Sequence, residues 1–516
     1  MKKDDTAQEH PSRVHEKATP MAMRRIGCLF GLVPSQVNES RVLEVGCGAG
    51  ANLISLSLLY PTARFKGIDE SGDAIKAARR TARELQVKNV NFEEVSLASH
   101  EIKGRYDYII APGIYSWISE EARTRLLAQV YAGLTDNGLA YFSYNTYPGW
   151  NVARTVREMM LFHTRPFEDM ATKASEAKKM LNFVLANNKD AESPYTVSLK
   201  GEVDLLNNLE EYWFCKEYLS EINEPVYLAD FVAAANSHGM TYVGDMDLEY
   251  MYLGNYDELA QSQLGELTTA VRQEQYMDFI LNRRVRNTIL SKAAGVNRSI
   301  TADRLKDFDF RLKLLPKAPI TQDTYDEGVL ELMSPANQDL TVKVMGRERI
   351  AFVEFMVSGH PKALSMEEIC EGAQEKAGQT ADKVKDALQR FLVGGIASGL
   401  CVCDREPDLF VPNPTEKPAV FAFAGHQSRK SVLVNNARHQ TIQITTVDQK
   451  IIPLLDGERE IRALVGELEK SIENGDFNIS VEGTDKDGNV PDQSLIIQAL
   501  IEERLRFYAA NALLVA

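Results

Sequence analysis

The sequence predicts an α/β chain built on a doubly wound sheet, with smaller α+β modules behind it. Three observations carry that expectation. Strand-like apolar runs alternate with helical stretches from Arg41 onward, the first strand runs into the glycine turn "VGCGAG", and the alternation stops near residue 310. A chain of 516 residues exceeds what one hydrophobic core usually supports, so several domains are expected.

In order, the text gives "RVLEVG", a helix through "NLISLSLLY", "FKGID", a helix over "GDAIKAARRTARELQV", "NVNFEEVS", "YDYIIA", a helix over "EEARTRLLAQVYAGL" and "GLAYFSYN". Strands separated by helices of this length imply right-handed crossovers and a parallel sheet covered on both faces. The core's first part is thus expected at 1–153. Residues 154–220 turn helical, with no strand of their own, and are expected to be an insertion. Helix and strand resume in "YLADFVAAANSHGMTYVGDMDLEYMYL" and "QEQYMDFILNRRVRNTILSK", which complete the core over 221–315. The turn-rich "LPKAPITQDTYDEG" reads as a linker. Three helical stretches and a hairpin candidate, "LCVCDREPDLFV", make 316–415 winged-helix-like, and 416–516 reads as a further α+β domain.

Composition narrows the function classes. Acidic residues number 73 against 58 Lys plus Arg, and a formal charge of −15 repels phosphate backbones and anionic lipid. Nucleic acid is therefore a disfavoured partner. The helix "TADKVKDALQRFLVGG" has no Arg-rich face, so protein contact is expected of the winged-helix-like region rather than DNA contact. Six cysteines without C-x-x-C spacing suit neither a disulfide framework nor a zinc site, and no metal is expected. The charged N-terminus lacks the apolar region of a secretory signal, and no stretch approaches the roughly 18 apolar residues of a membrane span. A cytoplasmic protein without membrane insertion is expected.

The chemistry concentrates in "VLEVGCGAGAN". Gly46, Gly48 and Gly50 let a strand turn tightly into a helix whose first N–H groups face a ligand. Gly46, Gly48 and Ala51 also satisfy the dinucleotide fingerprint, so two cofactor classes stay open. Glu44 separates them: a carboxylate there repels a pyrophosphate and attracts a ligand carrying an amine or sulfonium cation, such as S-adenosylmethionine (SAM). Asp69, at the end of "FKGID", can accept both ribose hydroxyls of either cofactor.

The stretch from "RVLEVGCGAGANL" through "GIDES", "YDYIIAPGIYSW" and "LTDNGLAYFSYNTYPGW" resembles the class I SAM-dependent methyltransferases with a Rossmann-like core. With "EQYMDFILNRRVRNTIL" it resembles, more narrowly, the bacterial group that carries a methyltransferase regulatory domain. That group includes lysine methyltransferases acting on outer-membrane proteins. The resemblance implies a SAM site made by Glu44, Gly46, Cys47, Gly48, Asn52, Asp69, Glu70, Ser96, Leu97, Ala111 and Pro112. Within it, Glu44, Gly46 and Gly48 meet the methionine part and Asp69 the ribose. Ser96 stands where the group tends to place an acid near the adenine. The resemblance also implies a protein substrate and a homodimer formed through the helical insertion.

"YFSYNTYPGW" is half aromatic in a chain only 8% aromatic, and it ends a strand at the ligand-binding edge of the sheet. Together with "APGIYSW" it is expected to place Tyr115, Trp117, Tyr144, Asn145 and Tyr147 around one acceptor pocket. Methyl transfer is an in-line displacement, so a dry aromatic pocket promotes it by positioning and desolvation, and ring faces attract a lysine amine. The expected function is SAM-dependent methylation of protein lysine. The alternatives are a small-molecule N/O-methyltransferase and a SAM-binding regulatory protein without turnover. His15 and His163 read as capping or packing residues, "NRRVR" as a solvated or ion-paired face, and Cys401 with Cys403 as small hydrophobes on one strand face.

Overall fold

The computed structural model describes residues 14–96, 101–334, 340–475 and 493–516. The central sheet has seven strands: β1 (Arg41–Val45), β2 (Arg64–Asp69), β3 (Val90–Glu94), β4 (Tyr106–Ala111), β5 (Leu134–Asn145), β6 (Thr241–Asp245) and β7 (Val285–Ser291), in the order β3-β2-β1-β4-β5-β7-β6. Helices α1 (Pro20–Leu29), α2 (Ala51–Leu59) and α3 (Gly72–Glu84) cover one face, and α4 (Glu120–Gly133) covers the other. Side-chain caps set the helix starts. Ser71 accepts from Ala74 N–H at 3.2 Å, and Ser119 from Ala122 N–H at 3.3 Å.

The insertion consists of α5 (Trp150–Thr164), α6 (Met170–Asn187) and α7 (Pro194–Asn207), closed by the short α8 (Glu211–Phe214) and a π turn over Cys215–Leu219. It has a core of its own, with Trp150, Val156, Met160, Leu181, Leu199, Phe214 and Tyr218 inside. Then α9 (Leu228–Ser237) returns to the α4 face of the sheet, and α10 (Glu258–Gly265) and α11 (Ala270–Leu281) connect β6 to β7.

The sheet is mixed rather than parallel throughout. β1 to β5 pair in parallel, but β7 runs antiparallel to both β5 and β6. Val285 opposes Asn145, so the chain re-enters the sheet at the carboxyl edge. Asn282, left-handed at φ 49°, ends α11 there and reverses the direction.

The run "NRRVR" is ion-paired, but two of its arginines lie inside the protein rather than on a solvated face. Arg286 is 1% exposed; it bonds Asp278 through two contacts of 2.8 Å and Glu274 at 3.0 Å. Arg283 reaches Asp245 at 2.8 Å, and Arg284 grips Glu202 of the insertion at 3.0 and 2.8 Å. These charges tie β7 to α11, β6 and α7.

Beyond the core, strand Asp309–Leu312 pairs antiparallel with Leu364–Ser365 and Cys401–Asp404, beside helices Arg347–Ser358, Met366–Ala377 and Ala381–Ala397. The hairpin expected over "LCVCDREPDLFV" does not form. Cys401 and Cys403, both buried, face Leu312 and Phe310, and Val411 N–H donates instead to the Leu514 carbonyl at 3.0 Å. Helices Ile461–Glu473 and Gln493–Ala510 pack together in the last region, where Asp448 accepts from Arg504 and Tyr508.

Candidate active site

Strand alternation decides what reaches the carboxyl edge. Register pairs Glu44 with Gly67 and Ile110, and Ile110 with Tyr141. Partners in register share a face, so Asp69, Ser143 and Asn145 lie on the side of Glu44, while Phe142 and Tyr144 lie opposite.

The glycine turn fits that placement. Gly46, Gly48 and Gly50 all have positive φ, and a Cβ on Gly50 would sit 2.6 Å from Phe92. Its amides are spent internally: Gly46 and Cys47 N–H donate to the Ile68 carbonyl, and Gly48 N–H donates to Asp69 Oδ2 at 2.8 Å. A pyrophosphate therefore finds no free amide at these three positions, which weighs against a dinucleotide. Asp69 also accepts from Ser71 N–H at 2.9 Å, which fixes its carboxylate at the end of β2.

Glu44 is 2% exposed, and burial pushes its carboxyl up to about 8, against the Asn52 hydrogen bond that favours the charged form. Among the described residues its Oε2 has no partner. A buried acid with an orphaned oxygen beside a glycine turn suits a ligand that brings a cation. Oε1 accepts from Asn52 Nδ2 at 3.3 Å, and the same amide donates to the Ala18 carbonyl at 3.0 Å. Asn52 Oδ1 accepts from His15 N–H at 3.0 Å, and His439 Nε2 lies 2.6 Å from it. With Oδ1 fixed as an acceptor, His439 Nε2 carries the proton and Nδ1 accepts from Ser55 Oγ at 3.1 Å. His439 is fully buried, and burial draws its pKa down to about 3, so the ring is neutral. A residue near the chain's end thus orients the amide that holds Glu44.

Other sequence-predicted cofactor residues gather at the same edge. Cys47 is buried against Gly67, and burial raises its thiol well above the usual range. Ser96 Oγ donates to Glu70 Oε1 at 3.4 Å, joining the ends of β2 and β3. Leu97 lies outside the described residues. Ala111 is buried with its side chain in the core of the opposite face, so only its backbone faces the edge; Pro112 is half-buried beyond it.

The expected acceptor set divides. Tyr115 and Tyr144 do not line the crevice: they pack with Phe142 and Phe231 on the other face, with ring centroids 4.9 Å (Tyr115–Phe231) and 4.3 Å (Tyr144–Phe231) apart. Even-numbered parity turns Tyr144 away, and its hydroxyl meets Thr288 at 3.0 Å. Tyr147 is half-buried against Tyr227, 5.3 Å between centroids, and accepts from Arg154 at 3.0 Å. Trp117 and Asn145 do come together, through residues the sequence reading missed. Asn145 N–H donates to Ser116 Oγ at 2.9 Å, and its side-chain amide donates to Glu217 Oε2 at 2.9 Å and Asn223 Oδ1 at 3.0 Å. Trp117 Nε1 donates to the Lys216 carbonyl at 3.0 Å.

Lys216 itself sits over two indoles, 5.0 Å from the Trp117 centroid and 5.4 Å from that of Trp213. A Cβ on Gly113 would lie 3.5 Å from its Nζ. Gly113 follows β4 and donates to Ser143 Oγ at 2.7 Å, and Ile114 next to it packs on Gly46. Burial lowers the Lys216 pKa, with Glu217 and Asp69 opposing, while burial raises that of Glu217. Tyr212, pushed up to about 12 by burial with Asp69 and Glu217 adding, belongs to the same cover. The aromatic run "EYWFCKEYL" is the sequence signal that could have pointed to this cover.

Among the described residues no group of three or more His, Cys, Asp or Glu could hold a metal ion, and no helix is long and apolar enough to cross a membrane.

Comparison with known proteins agrees with the geometry. The family described as "Methyltransferase domain" matches residues 36–184, "Predicted methyltransferase regulatory domain" matches 210–292, and "PKMT, C-terminal winged helix domain" matches 416–513. An uncharacterized protein of Rickettsia prowazekii is 29% identical over 96% of this chain and 91% of its own length. A second from the same organism is 34% identical over 44% of this chain and 91% of its own. The structure of PKMT2 from Rickettsia typhi in complex with AdoHcy aligns with a TM-score of 0.87 and 27% identity, covering 98% of this chain and 100% of that one. The chain therefore belongs to the class I SAM-dependent methyltransferases, in the group that joins a methyltransferase regulatory domain and a PKMT-type C-terminal winged helix to the catalytic core.

Proposed function

We propose that this methyltransferase acts on lysine side chains of proteins. The observation that carries the reading is the box of Trp117 and Trp213 at the end of β4, in which an alkyl-ammonium already fits over both rings. SAM, when bound, supplies an electrophilic methyl on a positively charged sulfur. Glu44, Gly46 and Gly48 would hold its methionine part, Glu44 answering the cation with its unpartnered oxygen while Asn52 orients Glu44; Asp69 would hold the ribose with Glu70 beside it, and Ser96 would lie near the adenine. Trp117, Trp213 and Asn145 orient the entering amine and exclude water, and the low-dielectric box favours the neutral amine that attack requires.

Support for a protein acceptor also comes from the likeness to PKMT2 and from the PKMT winged-helix match. The resemblance to enzymes acting on outer-membrane proteins makes that fraction the first acceptor to try. The exposed Phe162 and Phe183, which line a groove between α5 and α6, support a homodimer through the insertion, which sedimentation would detect. Labelled SAM incubated with the protein and a cell lysate, separated into outer-membrane and soluble fractions, tests the reading. Label on protein lysine is expected; label confined to small molecules would replace the reading with a small-molecule methyltransferase.

A further inference from the structure

Lys216 places its amine over two indoles next to Gly113, close to the carboxyl end of β4. It comes from the π turn that closes the insertion, and its Nζ lies over Trp117 and Trp213 beside Gly113, the residue that follows β4 and Pro112. Gly113 and Ile114 form one rim of the cofactor edge, because Ile114 packs on Gly46 of the glycine turn. Among the described residues the Lys216 ammonium makes no ion pair, so a structural salt bridge does not account for its place. Cation–π contacts hold it instead, and the backbone is pinned by the Trp117 Nε1 bond to its carbonyl.

From this geometry we propose that the enzyme methylates its own Lys216 in cis. The inference rests on the lysine-transfer reading above. The Lys216 ammonium first gives a proton to solvent water. The Nζ lone pair then forms the new carbon–nitrogen bond, the methyl carbon's bond to sulfur breaks, and its electron pair stays on sulfur. The nitrogen keeps its two remaining protons and takes the positive charge that sulfur loses, so the product is a methylammonium. Burial of the amine lowers its pKa and so eases the first proton loss. Methylation keeps the residue over the two indoles, since an alkylated ammonium retains its attraction to ring faces.

The test uses the purified full chain with labelled SAM and no added acceptor, followed by proteolysis and mass spectrometry. Methyl is expected on the peptide carrying Lys216, at a rate per molecule independent of protein concentration, and Lys216→Arg removes that label. A readout without SAM accompanies it. Two of the chain's three tryptophans flank Lys216, so Lys216→Met should change the indole fluorescence and its pH dependence below the ordinary lysine range. If the chain labels lysate protein while Lys216 stays unmodified, the inference falls and the lysine-transfer reading stands. If a rate rising with concentration is found, methylation in cis is overturned. If the chain binds SAM yet labels no protein, both fall.

Discussion

With Glu44 holding SAM as proposed, SAM affinity should depend on pH in a way that can be calculated. Its carboxyl sits at about 8 in the free protein because burial disfavours the charged form. At pH 7 ionising it costs about 1.4 kcal/mol, and at pH 6 about 2.7 kcal/mol. A cationic ligand at its unpartnered oxygen selects the ionised form, so binding releases a proton at any pH below about 8. Affinity should therefore fall about tenfold for each pH unit below 8 and level off above it. Titration calorimetry at pH 7 in two buffers of different ionisation enthalpy measures the release directly, with close to one proton expected. Glu44→Gln should weaken binding and abolish the slope, because the amide cannot ionise. The demethylated product keeps the amine and lacks the sulfonium charge, so a slope shared by both ligands would assign the amine as the partner of Glu44. For the free protein the sign is opposite: the native state keeps a proton that the unfolded state loses, so this group's contribution to stability falls as pH rises from about 4.5 to 8. A SAM affinity that stays flat between pH 6 and 8, or a slope that survives in Glu44→Gln, would refute the reasoning.

The other expectations concern positions where structure and sequence pattern part company. Tyr144→Phe should cost about 1 kcal/mol through the lost Thr288 contact and leave turnover near wild type, whereas Asn145→Ala should lower kcat with SAM affinity retained. Denaturant melts and steady-state kinetics with a lysate acceptor separate the two. Arg286→Ala leaves Glu274, Asp278 and Asp245 buried together and should destabilise the chain by about 3–5 kcal/mol in chemical unfolding, with Arg286→Met no better. His439→Ala removes the donor to Asn52 and should lower stability by about 1–3 kcal/mol while weakening SAM binding in calorimetry. Because native His439 stays neutral down to about pH 3, the unfolded state binds more protons below about pH 6.5. This histidine's contribution to stability is therefore lost as pH falls from there toward 3, a slope that His439→Ala should remove from the acid-unfolding curve.

The glycine turn and the two acids were legible in the sequence because their constraint is local: positive φ at Gly46, Gly48 and Gly50, and carboxylates on one face of adjacent parallel strands. The run 282–286 was half legible. Its charges imply partners, but Asp245, Glu274 and Asp278 sit on other elements, and only packing shows that they meet inside. The aromatic cluster at the end of β5 is not legible from composition, because strand alternation divides it between the two faces. Tyr144 and Asn145 are neighbours in sequence, and a strand sends neighbours to opposite faces. Spacing alone does not say which face is roofed by α9 and which by the π turn. Lys216 and Glu217 arrive from a helical insertion about seventy residues downstream, and His439 from 387 residues beyond Asn52. No periodicity links such distant segments.

The position of His439 bears on what the C-terminal region contributes. Asn52 has four bonds to make, and three parts of the chain supply the partners: Ala18 and His15 from the N-terminal segment, Glu44 from β1, and His439 from the region matched by the winged-helix family. Arg24 and Arg25 of α1 bind Glu406 and Asp404 of the middle region at 2.8 and 3.0 Å, so the N-terminal segment is itself held from behind. An amide with every bond engaged cannot turn without leaving a buried group unpaired, at a cost of about 1–3 kcal/mol. Glu44 is consequently oriented by residues outside the sheet that carries it. Truncating the chain after the region matched as regulatory would leave the glycine turn intact in sequence but remove the ring that orders Asn52. With Glu44 holding SAM as proposed, the appended region is part of that site's scaffold, and a partner that displaced it should change SAM affinity through Asn52.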